Sequence, residues 1–122
     1  VSKTALVVDD SATMRDLVSF TLERAGFEPL TGANGQEALD LLDGQPVHLI
    51  VTDLHMPVMD GLTFVRAVRA RAEYALVPIL MLTTESQTEI RAQGRAAGAT
   101  GWLVKPFDPG RLLQAVRKVV PA

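Results

Sequence analysis

At 122 residues the chain has the length of one ordinary domain, and 48% apolar with 21% charged residues is enough to bury a core. A net charge of −2, with Lys and Arg scattered, argues against a nucleic-acid partner, and the lack of cysteine excludes disulfides, thiolate metal sites and a cysteine nucleophile. No apolar run reaches the roughly 18 residues of a membrane span and no signal-peptide pattern opens the chain, so a cytoplasmic single domain over 1–122 is expected, with no membrane partner.

The first predicted element is "TALVVDD" (4–10), a short β-branched run that ends in two acids. Ser11 then caps a helix with Met14, Leu17, Val18, Thr21, Leu22 and Ala25 on one face, closed by Gly26. "FEPLTGAN" (27–34) is a weaker strand, and Pro29 suits an edge position. Asn34 and Glu37 form a capping box before Ala38, Leu41 and Leu42. "HLIVTD" (48–53) is the third strand, after which Asp60 caps a helix through Phe64, Val65 and Val68. "VPILMLTT" (77–84) is the fourth strand; Ser86 and Glu89 read as a second capping box for a helix ending near Gly98. "GWLVKP" (101–106) is the fifth strand, and Asp108-Pro109 opens a last helix with Leu112, Leu113, Val116, Val119 and Val120 inward.

Continuous apolar runs of this kind suit strands buried on both faces, and strict β-α alternation implies a parallel sheet covered by helices on both sides. Strands one and three are expected at its centre, with two and four supplying most of the edges. Ligands of such sheets bind beyond the carboxyl ends of the strands. There the sequence places Asp9 and Asp10, Asp53, Thr83 with Thr84, and Lys105. Both Asp9 and Asp10 reach one rim only if the chain bends after the first strand.

On the residues alone Asp53 has three readings: a turn residue, a ligand sharing a transition metal with His55, or a nucleophile. Three carboxylates in one pocket repel, and each is expected to be harder to ionise without a counterion. A hard divalent cation such as Mg²⁺ relieves that repulsion; Lys105 suits a phosphoryl oxygen, and Thr83 donates a hydrogen bond to the same group. The set fits phosphoryl transfer to a carboxylate. Singly, each part has a plainer use: Asp9-Asp10 as a cap, Thr83-Thr84 as a helix entry, Lys105 as a solvated loop residue.

In "VVDD" (7–10), "DLHMPVMDG" (53–61), "LTT" (82–84) and "VKPF" (104–107), in this order, the chain resembles the receiver domain of bacterial two-component response regulators over nearly its whole length. The resemblance implies an α/β fold: the flavodoxin-like (βα)5 three-layer sandwich, with a parallel five-stranded sheet of order 2-1-3-4-5. It implies that Asp53 accepts a phosphoryl group from a sensor histidine kinase. Asp10 and Asp53 would hold Mg²⁺ directly, Asp9 through water, and the His55 main-chain carbonyl would supply a further ligand. Thr83 and Lys105 would bind phosphoryl oxygens, across a cis Lys105–Pro106 bond that aims the lysine. Such a protein is a switch, catalysing only its own phosphotransfer and dephosphorylation.

"VDDSATMR" (8–15) and "AAGATGWLVKPF" (96–107) are most similar to stand-alone chemotaxis regulators of the CheY type. That similarity implies a monomer that docks its 86–120 face on a partner, commonly the flagellar motor switch, with a phosphatase as a further partner. Phosphate-sink or relay duty is an alternative. So is the trimmed input domain of a DNA-binding regulator, since the chain begins at Val1 rather than Met, although "RKVVPA" (117–122) shows no linker. A Mg²⁺-dependent phosphohydrolase is a third alternative, against which stand the short chain and His55 where a second acid would be needed.

Two positions depart from the family pattern. The switch residue on the fifth strand, usually Tyr or Phe, is Trp102, whose ring would move with Thr83 or simply pack for area. His55 and Glu85 stand where the family tunes the lifetime of the acyl phosphate. Gly94, inside the fourth helix, costs about 1 kcal/mol relative to Ala and suits either a helix that repacks or close packing on a neighbour. Met14, Met56, Met59 and Met81 read as filler of the core or site wall.

Overall fold

The computed structural model describes residues 3–121; Val1, Ser2 and Ala122 of the expected domain lie outside the described residues. The elements run β1 (Lys3–Val8), α1 (Ala12–Arg24), β2 (Phe27–Gly32), α2 (Gly35–Leu42), β3 (Leu49–Thr52), α3 (Gly61–Arg69), a short 3-10 turn (Ala72–Tyr74), β4 (Ile79–Thr83), α4 (Thr88–Ala97), β5 (Gly101–Val104) and α5 (Pro109–Val119). All pairings are parallel, in the order β2-β1-β3-β4-β5. This is the expected flavodoxin-like sandwich. One expectation is corrected: β4 is internal, and the edge opposite β2 is β5.

The two-residue period of the strands divides the core. Leu6, Val8, Ile50, Ile79 and Met81 face one side, with Phe64, Val65 and Val68 of α3 and Ala38, Leu39 and Leu42 of α2. Ala5, Val7, Leu49, Val51, Leu80 and Leu82 face the other, against Val18 and Leu22 of α1 and Leu112 and Val116 of α5. β1, β3 and β4 are thus buried on both faces, as continuous apolar runs require. β5 is not: being an edge, its Gly101, Trp102 and Leu103 are half-buried and Val104 is exposed. Truncating a wholly buried side chain such as Phe64 to Ala costs about 3–5 kcal/mol.

Most helix starts follow their cap residues. Ser11, Asn34, Asp60 and Asp108 accept backbone N–H groups of the first turns of α1, α2, α3 and α5. The expected box at Ser86 does not form; α4 begins after Gln87 with no side-chain cap. Two burial expectations for α1 also change: Ala25, placed on its inward face, is exposed. Leu17 is exposed and, with Phe20, Phe107, Pro109 and Leu113, lines an apolar furrow of about 540 Å³ between α1 and α5. Gly94 is the sole buried residue of α4. The methionines behave as expected, Met81 inside the core and Met14, Met56 and Met59 packed against it.

Candidate functional site

Asp9, Asp53 and Lys105 each follow the last residue of β1, β3 and β5, so the sheet itself carries them to one rim. The chain bends at Asp10, as needed for both acids to serve that rim. Carboxylate oxygens of Asp9, Asp10 and Asp53 lie within 4.8 Å of one another, the one such cluster of potential ligands among the described residues. Asp9 and Asp53 are buried and Asp10 is exposed.

Each buried acid has its oxygens assigned. Asp53 Oδ1 accepts the Leu54 N–H at 2.6 Å, and Asp9 Oδ1 accepts the Ser11 N–H at 2.9 Å. Lys105 Nζ donates to Asp53 Oδ2 and to Asp9 Oδ2, both at 3.0 Å. The lysine is therefore an ordered counterion within the cluster, and not a solvated loop side chain. The Lys105–Pro106 peptide bond is cis.

Burial pushes the Asp9 carboxyl above the usual carboxylate range; the Ser11 N–H and Lys105 pull it back, and the neighbouring Asp53 charge raises it again. Burial alone would lower the Lys105 ammonium, but its hydrogen bonds to Asp53 and Asp9, and their charges, outweigh that and raise it.

Thr83, at the end of β4, is wholly buried, while Thr84 is exposed. Thr83 Oγ1 accepts the Glu85 N–H at 3.4 Å, and its carbonyl accepts the Lys105 N–H at 2.8 Å. The carboxylate cluster does not include His55; its imidazole Nε2 lies 3.4 Å from Glu85 Oε2. That arrangement does not favour the reading of a transition metal shared by His55 and Asp53.

Trp102 is seated rather than free. Its indole N–H donates to the Glu85 carbonyl at 2.8 Å, and its ring lies over Gly94, where an added Cβ would fall 2.5 Å from Cζ3. Close packing is thus what Gly94 serves.

Three residues that shape the site escaped the sequence reading. Gly61 N–H donates to the Leu54 carbonyl at 2.7 Å, and a Cβ there would lie 2.3 Å from the Asp53 carbonyl oxygen. Only glycine permits that approach; in the sequence Gly61 stood out only as the end of the "DLHMPVMDG" stretch. Arg15 Nη1 donates to the Asp9 carbonyl at 2.7 Å, and Thr52 Oγ1 to the Asp53 carbonyl at 2.9 Å. Neither has a sequence signal, since both bonds depend on the folded loop.

The donor set fits Mg²⁺: hard carboxylate oxygens, clustered, with one acid open to water, and no soft ligand among them.

Comparison with known proteins points the same way. Residues 5–117 match the family model described as "Response regulator receiver domain". The chain is 41% identical over 117 residues to a chemotaxis protein CheY homolog of Campylobacter jejuni, covering 94% of this chain and 90% of the relative. It is 38% identical over 117 residues to the chemotaxis protein CheY1 of Helicobacter pylori, covering 94% of each. The solved structure of the chemotaxis protein CheY4 of Vibrio cholerae is 48% identical and superposes with a TM-score of 0.94, over 98% of this chain and 100% of that one.

Proposed function

This chain belongs to the response regulator receiver domain family and is of the CheY type, and from that premise we propose a phosphorylation-controlled switch with Asp53 as phosphoacceptor. The observation that carries the proposal is the contact of Lys105 Nζ with both Asp9 and Asp53 at 3.0 Å, inside a three-carboxylate cluster. A cation placed there neutralises the acids before reaction and is positioned to hold a phosphoryl oxygen after it.

In the proposed reaction an Asp53 carboxylate oxygen attacks the phosphorus of a phosphohistidine on a sensor kinase. The new P–O bond replaces the P–N bond, and the departing imidazole takes up a proton. Asp10 and Asp53, with Asp9 and the His55 carbonyl assisting, would hold Mg²⁺, which supplies charge neutralisation on the phosphoryl oxygens. Thr83 and Lys105 are the proposed contacts of the bound phosphoryl group. Thr83 suits this because its Oγ1 accepts the Glu85 N–H, which leaves the hydroxyl's own O–H to donate to a phosphoryl oxygen.

The proposed output is docking through α4, β5 and α5 to a partner such as a flagellar motor switch, with the kinase, and a phosphatase acting on Asp53, as the other partners. Cavities on that face are lined by Arg91, Arg95, Arg111 and Lys118 around the half-buried Trp102 and Leu103, a basic rim about an apolar centre. Phosphorylation shifts the arrangement of this face rather than creating it. The test is to incubate the protein with Mg²⁺ and acetyl phosphate and weigh it. A phosphate-sized gain, absent in Asp53→Asn, supports the reading; no gain, or an equal gain in the variant, overturns it.

A further inference from the structure

Glu85 joins three parts of the molecule that the proposed reaction treats separately. Its carboxylate Oε2 lies 3.4 Å from Nε2 of His55, which is 67% exposed, two residues after Asp53. Its amide N–H reaches Thr83 Oγ1 at 3.4 Å, and its carbonyl receives the Trp102 indole N–H at 2.8 Å. The indole is also confined from behind: Gly94 leaves room for the ring that no side chain there would allow. The segment after Glu85 packs on the core through the partly buried Ile90 and Ala97. α4 starts without a side-chain cap and buries only Gly94, features of a locally weak element.

We propose that Glu85 is a positioning residue that couples His55, at the mouth of the carboxylate cluster, to Trp102, so that engagement of the His55 imidazole moves the indole without phosphorylation. His55 then gives the switch a second input. A partner reaching for Asp53 displaces the imidazole from Glu85, the Glu85 carbonyl shifts, and the indole loses its acceptor. The significance of that movement for output rests on the docking face proposed above; the coupling itself does not. An exposed side-chain contact of this kind biases such an equilibrium by no more than about fivefold, so the device tunes the face and does not lock it.

Trp102 is the only tryptophan in the sequence, so its emission and acrylamide quenching report this site alone. The experiment uses unphosphorylated protein, which separates its outcome from that of the Asp53 assignment. His55→Ala and Glu85→Ala are each expected to raise quenching about twofold, and the double variant to match the singles, because both break one linkage. Gly94→Ala sets the upper range, since its methyl displaces the ring. Quenching unchanged in either single variant, effects that add in the double, or no response to Gly94→Ala would each overturn the coupling.

Discussion

A Cβ on Gly61 would fall 2.3 Å from the carbonyl oxygen of Asp53, and 2.8 Å from Leu54 Cα. The start of α3 thus rests directly on the backbone of the proposed phosphoacceptor, and only the absence of a side chain lets it do so. Because the obstructing atoms are main chain, they have little freedom to yield. Gly61→Ala is expected to destabilise the fold by about 2–3 kcal/mol, the upper range of overpacking, and to slow phosphorylation by more than tenfold. Urea midpoints and the rate of mass gain with acetyl phosphate measure the two effects. A variant with normal stability and normal rate would show that the contact does not constrain the site.

Lys105→Met removes the cation shared by Asp9 and Asp53. Stripping one partner from a dry ion pair costs about 3–5 kcal/mol, but this rim is open on the Asp10 side, so a loss of about 1–2 kcal/mol is expected. The Lys105 pKa is raised above its ordinary 10.5. Its contribution is therefore fully present below the unfolded value and disappears as pH rises through the folded one. The stability gap between wild type and variant should persist at neutral pH and close in strong alkali. Mg²⁺ competes with the ammonium for the same carboxylates, so its affinity, read by calorimetric titration, should rise severalfold in the variant.

Asp9 behaves in the opposite sense from a stabilising carboxylate. Its pKa is raised from 3.8, first by burial, so the folded state prefers the neutral acid. Ionisation then costs stability at every pH above the folded value and nothing below the unfolded one. Asp9→Asn, which keeps an oxygen for the Ser11 N–H, is expected to be more stable than wild type at neutral pH. The advantage should fade as pH falls through the folded pKa. Denaturant midpoints across that range check it, and a variant less stable at neutral pH would contradict it.

Val58 carries a φ of +68° and is 82% exposed. A β-branched residue in the left-handed region is strained by about 1–2 kcal/mol, and no buried contact returns that energy. Val58→Gly should stabilise by about 0.5–1 kcal/mol after the added freedom of the unfolded chain is subtracted, visible as a rise of a few degrees in Tm. A fall in Tm would mean that Val58 makes contacts worth more than its strain.

Much of this was legible in the sequence, for local reasons. Apolar runs bounded by polar turns located all five strands, and short side-chain caps at Ser11, Asn34, Asp60 and Asp108 started four helices where expected. The rim was legible because parallel strands deliver whatever follows their last residue to one end of the sheet. Features that depend on tertiary contacts were not. Alternation does not specify lateral order, so β5 rather than β4 proved to be the second edge. Ser86 fits a capping pattern, but Glu85 is held at both its amide and its carbonyl, and α4 starts one residue later. Leu17 has helical spacing yet lines an open furrow, because α1 and α5 do not close over it. Gly94 was ambiguous until the ring of Trp102 was found against it.

The central claim is that Asp53, and no other acid of the cluster, receives the phosphoryl group. Its most direct test is to phosphorylate the protein with acetyl phosphate and Mg²⁺, reduce the acyl phosphate with borohydride, and sequence the peptides by mass spectrometry. The account predicts homoserine at position 53 alone, with aspartate intact at positions 9 and 10. Homoserine at Asp9 or Asp10, or none at Asp53 in protein that has gained a phosphate, would contradict it.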